Sequence, residues 1–572
     1  MKTKYPLIGL VFAAGVLHTP TTVFGTDTSV DDLSTEVNKL FARWDKPETP
    51  GAAVVITRGG ETLYKRCFGL ANLEHRVPIT STTVFELASA SKPFTAMAIL
   101  LLEQDGKLTL DDDIRKYIPE LPDFEHTITL RHLLHHTGGL WDVWTMLIYY
   151  AGFTHYDYLC LNDKLRLLER QPEPLFQPGS QWKYSSVGYD LLAEVVARVT
   201  GESFSSWTKK HIFEPLKMKD TFFKDNCLRM IPNQASSYRK KEGAYFRGRQ
   251  YSVNYAGGGG AFTTIDDMAL WMDNFRAYTL GGKELVDRMC KKGMLNDGRE
   301  HDYGLGLNLL TRHDENVIAH SGQCDCFLTM MIYCPRKELG ITILANDRAI
   351  QAEKLGFQIL GLCLGKLRTA RPLGERSVSH ALVKADASKM KRYAGGYLVE
   401  ATGAHVGVLA QPGRLICMVD GLGMEWFSPS SHGHFSNSAG DIHITFTPND
   451  RGGIERARID LKGDLIEVKR IVFTQSTPEQ LRATYAGPYF CDALGTVYEL
   501  IETNGRLVIR HRRYGDRDLV QTDEGEFMGE MGFFRFEKDA NGALRGFSMF
   551  DETFNFKPIY FQKIGDVHAA SP

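Results

Sequence analysis

The sequence is short of the features that mark several large classes of protein. Basic and acidic side chains nearly cancel, 67 Lys and Arg against 69 Asp and Glu, so no net field draws the chain to nucleic acid or to a charged membrane. The basic cluster Arg510-His-Arg-Arg513 reads as one solvated strand end. Beyond the first residues no stretch reaches the roughly 18 apolar residues that a membrane-spanning helix needs. Ten cysteines are scattered over 572 residues with no C-x-x-C pair, which excludes a dense disulfide framework and the usual zinc spacings. Cys324-Asp-Cys326 and Cys334 have no paired histidine motif beside them, and most cysteines read as buried thiols. There is no N-x-[ST] sequon, which speaks against a eukaryotic secreted glycoprotein.

What is present begins with a leader. Lys2 and Lys4 precede an apolar run from Pro6 to Leu17, and Val23-Phe-Gly25 offers a small-residue cleavage site. Residues 1–25 are therefore expected to be a signal peptide. The mature protein is expected to be secreted or periplasmic, without stable insertion in a membrane. An uncleaved anchor is the second reading. No cysteine follows the apolar run closely, which argues against a lipoprotein.

Residues 26–365 mix helices and strands. Ala52 to Ile56 and Glu61 to Tyr64 read as a hairpin turned at Gly59-Gly60, and Tyr189 to Thr200 has helical periodicity ending at Gly201. Phe327 to Tyr333 and Leu339 to Leu344 read as adjacent strands. Residues 366–386 have the charge and proline of a linker. Beyond them the text turns to short alternating strands with turns at Lys462-Gly-Asp464, Asn504-Gly505 and Asn541-Gly542. Tyr393-Ala-Gly-Gly-Tyr397 and Tyr485-Ala-Gly-Pro-Tyr489 repeat one motif. Two copies of a small closed antiparallel barrel, 387–476 and 477–567, are expected, because closure removes exposed strand edges.

Chemistry enters at Ser89-Ala-Ser-Lys92, which runs into the apolar segment Ala96 to Leu101. A hydroxyl and an amine three residues apart on a helix share one face. That spacing lets an amine take the proton of an attacking serine. The amine must be desolvated to do so, which places Lys92 in a closed cleft. Downstream, Tyr184-Ser-Ser186 precedes a helix, and Ala319-His320-Ser321-Gly322-Gln323 precedes a strand. A tyrosine near a cationic lysine can take a serine proton. A glycine lets a strand approach bound substrate, and a histidine offers a donor or a positive charge.

With these three motifs in this order, the chain resembles the penicillin-binding-protein and class C β-lactamase-like serine hydrolases. Their signatures S-x-x-K, Y-x-N and [KH]-[ST]-G match Ser89/Lys92, Tyr184/Ser186 and His320/Gly322. The flanks Ile128 to Leu140 and Gly258 to Asp267 agree. The layout with two barrels is similar to that of the D-stereospecific aminopeptidases. The resemblance implies an α+β, β-lactamase/transpeptidase-like catalytic domain, an antiparallel sheet flanked by helices. It implies Ser89 as nucleophile, Lys92 and Tyr184 as shared base and acid, and His320 as a substrate-holding or proton-tuning group. The backbone N–H groups of Ser89 and Gln323 would form an oxyanion hole, and Ser186, Ser321 and Gly322 would contact substrate. No metal or organic cofactor is implied. The expected substrate is a small peptide or amide, plausibly with D-amino acids. Short acyl esters or lactams are the alternative, and a penicillin-recognising binder without turnover is a third.

Two departures from the family pattern stand out. Ser186 replaces the usual asparagine, whose amide is both donor and acceptor, and Gln323-Cys-Asp-Cys326 replaces a glycine-rich run. His132, His135 and His136 read as part of a structural turn rather than a zinc cluster, and Asp111, Asp112 and Asp113 as caps. The aromatics from Trp141 to Tyr158 read as core more than cleft wall.

Overall fold

The computed structural model describes residues 30–367, 369 and 390–565, apart from 155, 172, 250–251, 255, 403–404, 412, 420–422, 432, 438–441, 451–452, 462–463, 473–474 and 551–557. The expected signal peptide lies outside the described residues, as does nearly all of the expected linker. Among the described residues no helix is long and apolar enough to cross a membrane.

A six-stranded antiparallel sheet organises the first part. Its strands are β1 (Ala52–Arg58), β2 (Glu61–Phe68), β3 (Asn308–Arg312), β4 (Glu315–Cys324), β5 (Phe327–Cys334) and β6 (Leu339–Ala345). They lie in the order β3-β4-β5-β6-β1-β2. Side chains alternate across a strand, and β1 shows what that does here. Ala53 and Val55 enter the larger apolar core, while Ala52, Val54 and Ile56 enter a second core on the opposite face. The second core is closed by α1 (Val30–Phe41) and, later in the chain, by an Ala352–Cys363 helix. The first core holds α2 (Lys92–Gln104), α3 (Leu161–Glu169), α4 (Ser186–Thr200) and α5 (Ile265–Ala277). Every residue of α2 from Lys92 to Leu100 is buried, so it is a central helix with no solvent stripe. Gly201, with φ at 73°, ends α4 in the left-handed conformation glycine adopts without strain.

The C-terminal part is two closed antiparallel barrels of eight strands each, spanning Gly395 to Arg470 and Gly487 to Lys563. The repeated motif acquires a physical meaning here. In the first barrel the Tyr397 hydroxyl donates to the Tyr393 carbonyl at 2.8 Å, and in the second Tyr489 donates to Tyr485 at 2.6 Å. Each clasp ties the entering segment to the first strand of its barrel.

The second barrel docks on the part built around the six-stranded sheet. Its residues Tyr489, Tyr498 and Phe561 belong to the same apolar cluster as α2. The Tyr498 hydroxyl donates to the Tyr150 carbonyl at 2.9 Å. Tyr514 accepts from the Gly152 N–H at 2.8 Å, and its hydroxyl lies 3.1 Å from the carbonyls of both Leu147 and Phe153. The first barrel in turn packs on the second through Leu409, Ile416, Met418 and Met528.

Three expectations shift. Ser89 and Lys92 are not both on an α-helix: Ala88–Ser91 forms a 3-10 turn and Lys92 opens α2. The His320-Ser-Gly segment does not precede its strand but lies within β4, because its alternation already fits a sheet. The aromatic segment divides. Trp141 and Tyr150 are core residues, Tyr149, Tyr156 and Tyr158 are exposed, and Trp144 and Tyr149 wall a cleft. All ten cysteines are free thiols, five of them buried.

Candidate active site

Ser89 sits in a tight turn. Ala88, the residue before it, has φ at 51°, an uncommon conformation for a residue with a Cβ. The turn is pinned on both sides, since the Leu87 N–H donates to the Ala261 carbonyl at 2.9 Å and the Ala261 N–H to Ser91 Oγ at 3.0 Å. Backbone strain held in place by its surroundings is common at functional sites. The result presents Ser89 at the junction of two cleft lobes. One, of about 730 Å³, is shared with Tyr184, His320, Ser321 and Gln323. The other, of about 390 Å³, is shared with Trp144, Tyr149, Ser186 and Gln323.

Lys92 is wholly buried. Its Nζ lies 3.3 Å from Ser89 Oγ, 3.2 Å from Ser186 Oγ and 2.6 Å from the Gly258 carbonyl. The Tyr184 ring centroid is 4.8 Å from the same nitrogen. Ser89, Lys92, Tyr184, Ser186 and the Gly258 carbonyl are thus gathered around one point, from three segments far apart in sequence. Ser186 faces the amine as much as the open lobe.

Gly322 explains how β4 reaches the Ser89 turn. A Cβ on it would stand 2.0 Å from the Leu87 carbonyl oxygen and 3.1 Å from the Ala90 nitrogen. Only a residue without a side chain allows the strand this close, so the glycine brings Gln323 beside Ser89. The Gln323 side chain is held by Arg348, whose guanidinium donates to its Oε1 at 3.0 Å.

His320 is buried and neutral. Burial, with Lys92 nearby, pushes its pKa down to about 3. Its Nδ1 lies 2.7 Å from the Ser321 carbonyl and its Nε2 3.1 Å from the Tyr303 hydroxyl. Desolvation therefore disfavours the positive charge that was one of its two expected roles, and its ring lies 6.4 Å from that of Tyr184. The three histidines of the earlier turn do not converge on a metal. His132 Nδ1 accepts from the Thr129 N–H in a helix-capping box, and His135 Nδ1 lies 3.2 Å from the Tyr303 carbonyl. His136 Nδ1 accepts from the Ser185 N–H, and its ring lies 4.3 Å from that of Tyr184.

Tyr303, against His320, and Asp190, whose Oδ1 accepts from the Gly258 N–H at 2.9 Å, also take part in this geometry, and sequence reasoning did not single them out. The Gly257–Gly260 run was a visible signal, since four consecutive glycines suggest a backbone that others approach closely.

A family model described as Beta-lactamase matches residues 37–357. The chain belongs to that family, the β-lactamase and penicillin-binding-protein group of serine hydrolases. A penicillin-binding protein of Bacillus subtilis is 28% identical over 433 residues, covering 71% of this chain and 92% of that protein. A D-aminopeptidase of Gluconobacter oxydans is 27% identical over 334 residues, covering 58% of this chain and 62% of that protein. The solved octameric penicillin-binding protein homologue from Pyrococcus abyssi aligns with a TM-score of 0.54 at 22% identity. That alignment covers 77% of this chain and all of that one, a likeness of fold.

Proposed function

We propose that this chain is an exported serine hydrolase that works through an acyl-enzyme on small peptides or amides, including those with D-amino acids. The observation that carries the reading is the placement of a wholly buried amine 3.3 Å from the Ser89 hydroxyl, at the junction of two lobes that can hold the two sides of a scissile bond. Ser89 attacks the carbonyl while Lys92 and Tyr184 move its proton to the leaving group. The carbonyl oxygen takes its developing charge to the N–H groups of Ser89 and Gln323, a kind of contact worth about 3–4 kcal/mol. With this reading goes a division of the chain at about residues 365 and 476, supported by the closure of each barrel on itself.

A second reading, an esterase of short acyl esters, is favoured by Ser186. Its hydroxyl is engaged with Lys92, and its single oxygen lacks the reach and the separate donor and acceptor atoms that an asparagine amide presents to a peptide.

The test is a panel of D-alanine amides, L-alanine amides and p-nitrophenyl esters on purified protein, with Ser89→Ala as control. Turnover of D-amides above esters supports the first reading; turnover of esters alone supports the second. Covalent capture of a fluorescent β-lactam without release would replace both with a binding role. Labelling that survives Ser89→Ala would move the nucleophile elsewhere.

A further inference from the structure

A buried ion pair, unused by the chemistry above, lies at the wall of the smaller lobe beside Ser186 and Gly258. Lys164 on α3 and Asp190 on α4 are bonded through Nζ and Oδ2, each side chain only 2% exposed. The other carboxylate oxygen, Oδ1, accepts from the Gly258 N–H at 2.9 Å. The same peptide unit is held from the opposite side, because the Gly257 carbonyl accepts from Thr95 Oγ1 at 2.8 Å. Thr95 stands one turn beyond Lys92 on α2. The next carbonyl along the chain, that of Gly258, is the one 2.6 Å from Lys92 Nζ.

We infer that Lys164, Asp190 and Thr95 form a positioning clamp that fixes the 257–258 peptide plane, so that the Gly258 carbonyl aims Lys92 at Ser89. The clamp rests on the serine-hydrolase reading and adds a role to it. A planar peptide held at both its N–H and its C=O has little rotational freedom left. Its neighbours also leave no room for side chains on it, since a Cβ on Gly257 would lie 2.3 Å from the Tyr189 carbonyl and one on Gly258 2.7 Å from the Ser186 carbonyl. The carboxylate needs its own anchor, because a buried unpaired charge is strongly unfavourable and would draw in water or turn away. Lys164 supplies that anchor. Each acts through Lys92.

The experiment compares two double variants in which the ion pair is gone. Lys164→Met with Asp190→Asn keeps an oxygen that can accept from the Gly258 N–H. Lys164→Met with Asp190→Leu removes the acceptor and keeps the volume apolar. Ser89 acylation is followed with a fluorophosphonate probe, separating the maximal labelling rate from the probe concentration at half-maximum. The leucine variant is expected to label about ten- to a hundredfold more slowly at saturation than the asparagine variant, with the half-maximum concentration little moved. Equal saturating rates in the two, whether high or low, would overturn the clamp. If the leucine variant does not fold, Thr95→Val against Thr95→Ser makes the same comparison at the other end of the peptide, and equal rates there overturn it too. Failure of the unaltered protein to label at Ser89 would instead remove the hydrolase reading.

Discussion

The Tyr303 hydroxyl donates to His320 Nε2 across 3.1 Å, and the direction of that bond follows from the other ring nitrogen. Nδ1 faces the Ser321 carbonyl at 2.7 Å, and a carbonyl only accepts, so Nδ1 carries the proton and Nε2 of the neutral ring must accept. Both side chains are buried. A Tyr303→Phe variant keeps the ring but leaves Nε2 buried without a donor. It should lose about 1–3 kcal/mol of stability in urea unfolding. No loss would mean that another donor reaches Nε2.

The same burial makes stability depend on pH. His320 is held down to about 3 and His136 well below its ordinary value, in both cases first by desolvation and then by Lys92. An unfolded histidine titrates near 6.5. Below that value the unfolded chain binds protons that the folded one refuses, so stability present at neutral pH is lost as pH falls from about 6.5 toward the folded values. Each such histidine contributes a slope of up to about 1.4 kcal/mol per pH unit. Urea midpoints taken between pH 7 and 4.5 should fall, and His320→Asn should flatten the fall. A midpoint that does not change with pH across this range would mean that His320 is charged in the folded protein.

Gly322→Ala tests the approach of β4 to the nucleophile. The added methyl meets the Leu87 carbonyl oxygen at 2.0 Å, and a backbone atom cannot swing aside as a side-chain tip can. The strand must retreat and take the Gln323 N–H with it. Ser89 labelling should drop about a hundredfold or more, the scale of losing one oxyanion donor, while circular dichroism keeps the signature of the fold. Labelling at the original rate would detach Gln323 from the site.

Much of this architecture was legible in the text of the chain, and the reason is local periodicity. The repeated Tyr-Ala-Gly motif announced two barrels because each copy makes the same clasp with its own neighbours. Ser89, Lys92, Tyr184 and Ser186 could be gathered because their spacings fit a known order of motifs. What escaped was set by tertiary contact alone. Nothing around Asp190 distinguishes it from a solvated residue early in a helix, and Lys164 reads as one more surface lysine of an amphipathic helix. Their burial is visible only once α3 and α4 pack together. His320 is a related case: its sequence neighbours give no sign of the enclosure that lowers its pKa. The division of the aromatic segment between core and cleft wall depended on the second barrel, which the segment's own sequence does not mention.

That dependence gives the last prediction. Trp144 and Tyr149 wall the smaller lobe, and the backbone beside them, at Leu147, Gly152 and Phe153, meets the hydroxyl of a single barrel residue, Tyr514. Tyr514→Phe removes a hydroxyl while leaving the ring that packs against His511 at 4.7 Å. The buried Gly152 N–H then loses its acceptor, a change worth about 1–3 kcal/mol, and the 147–153 backbone loosens. Lys92 and Ser89 are held by α2 and the Gly257–Gly260 run, outside this contact. Acylation by the smallest probe should therefore proceed at the original rate, while KM for substrates long enough to reach Trp144 and Tyr149 rises several-fold. Steady-state kinetics on a length series of amides or esters measures both. If KM shifts equally for short and long members, or for neither, the barrel is a passive neighbour; a length-dependent shift makes it part of the substrate cleft.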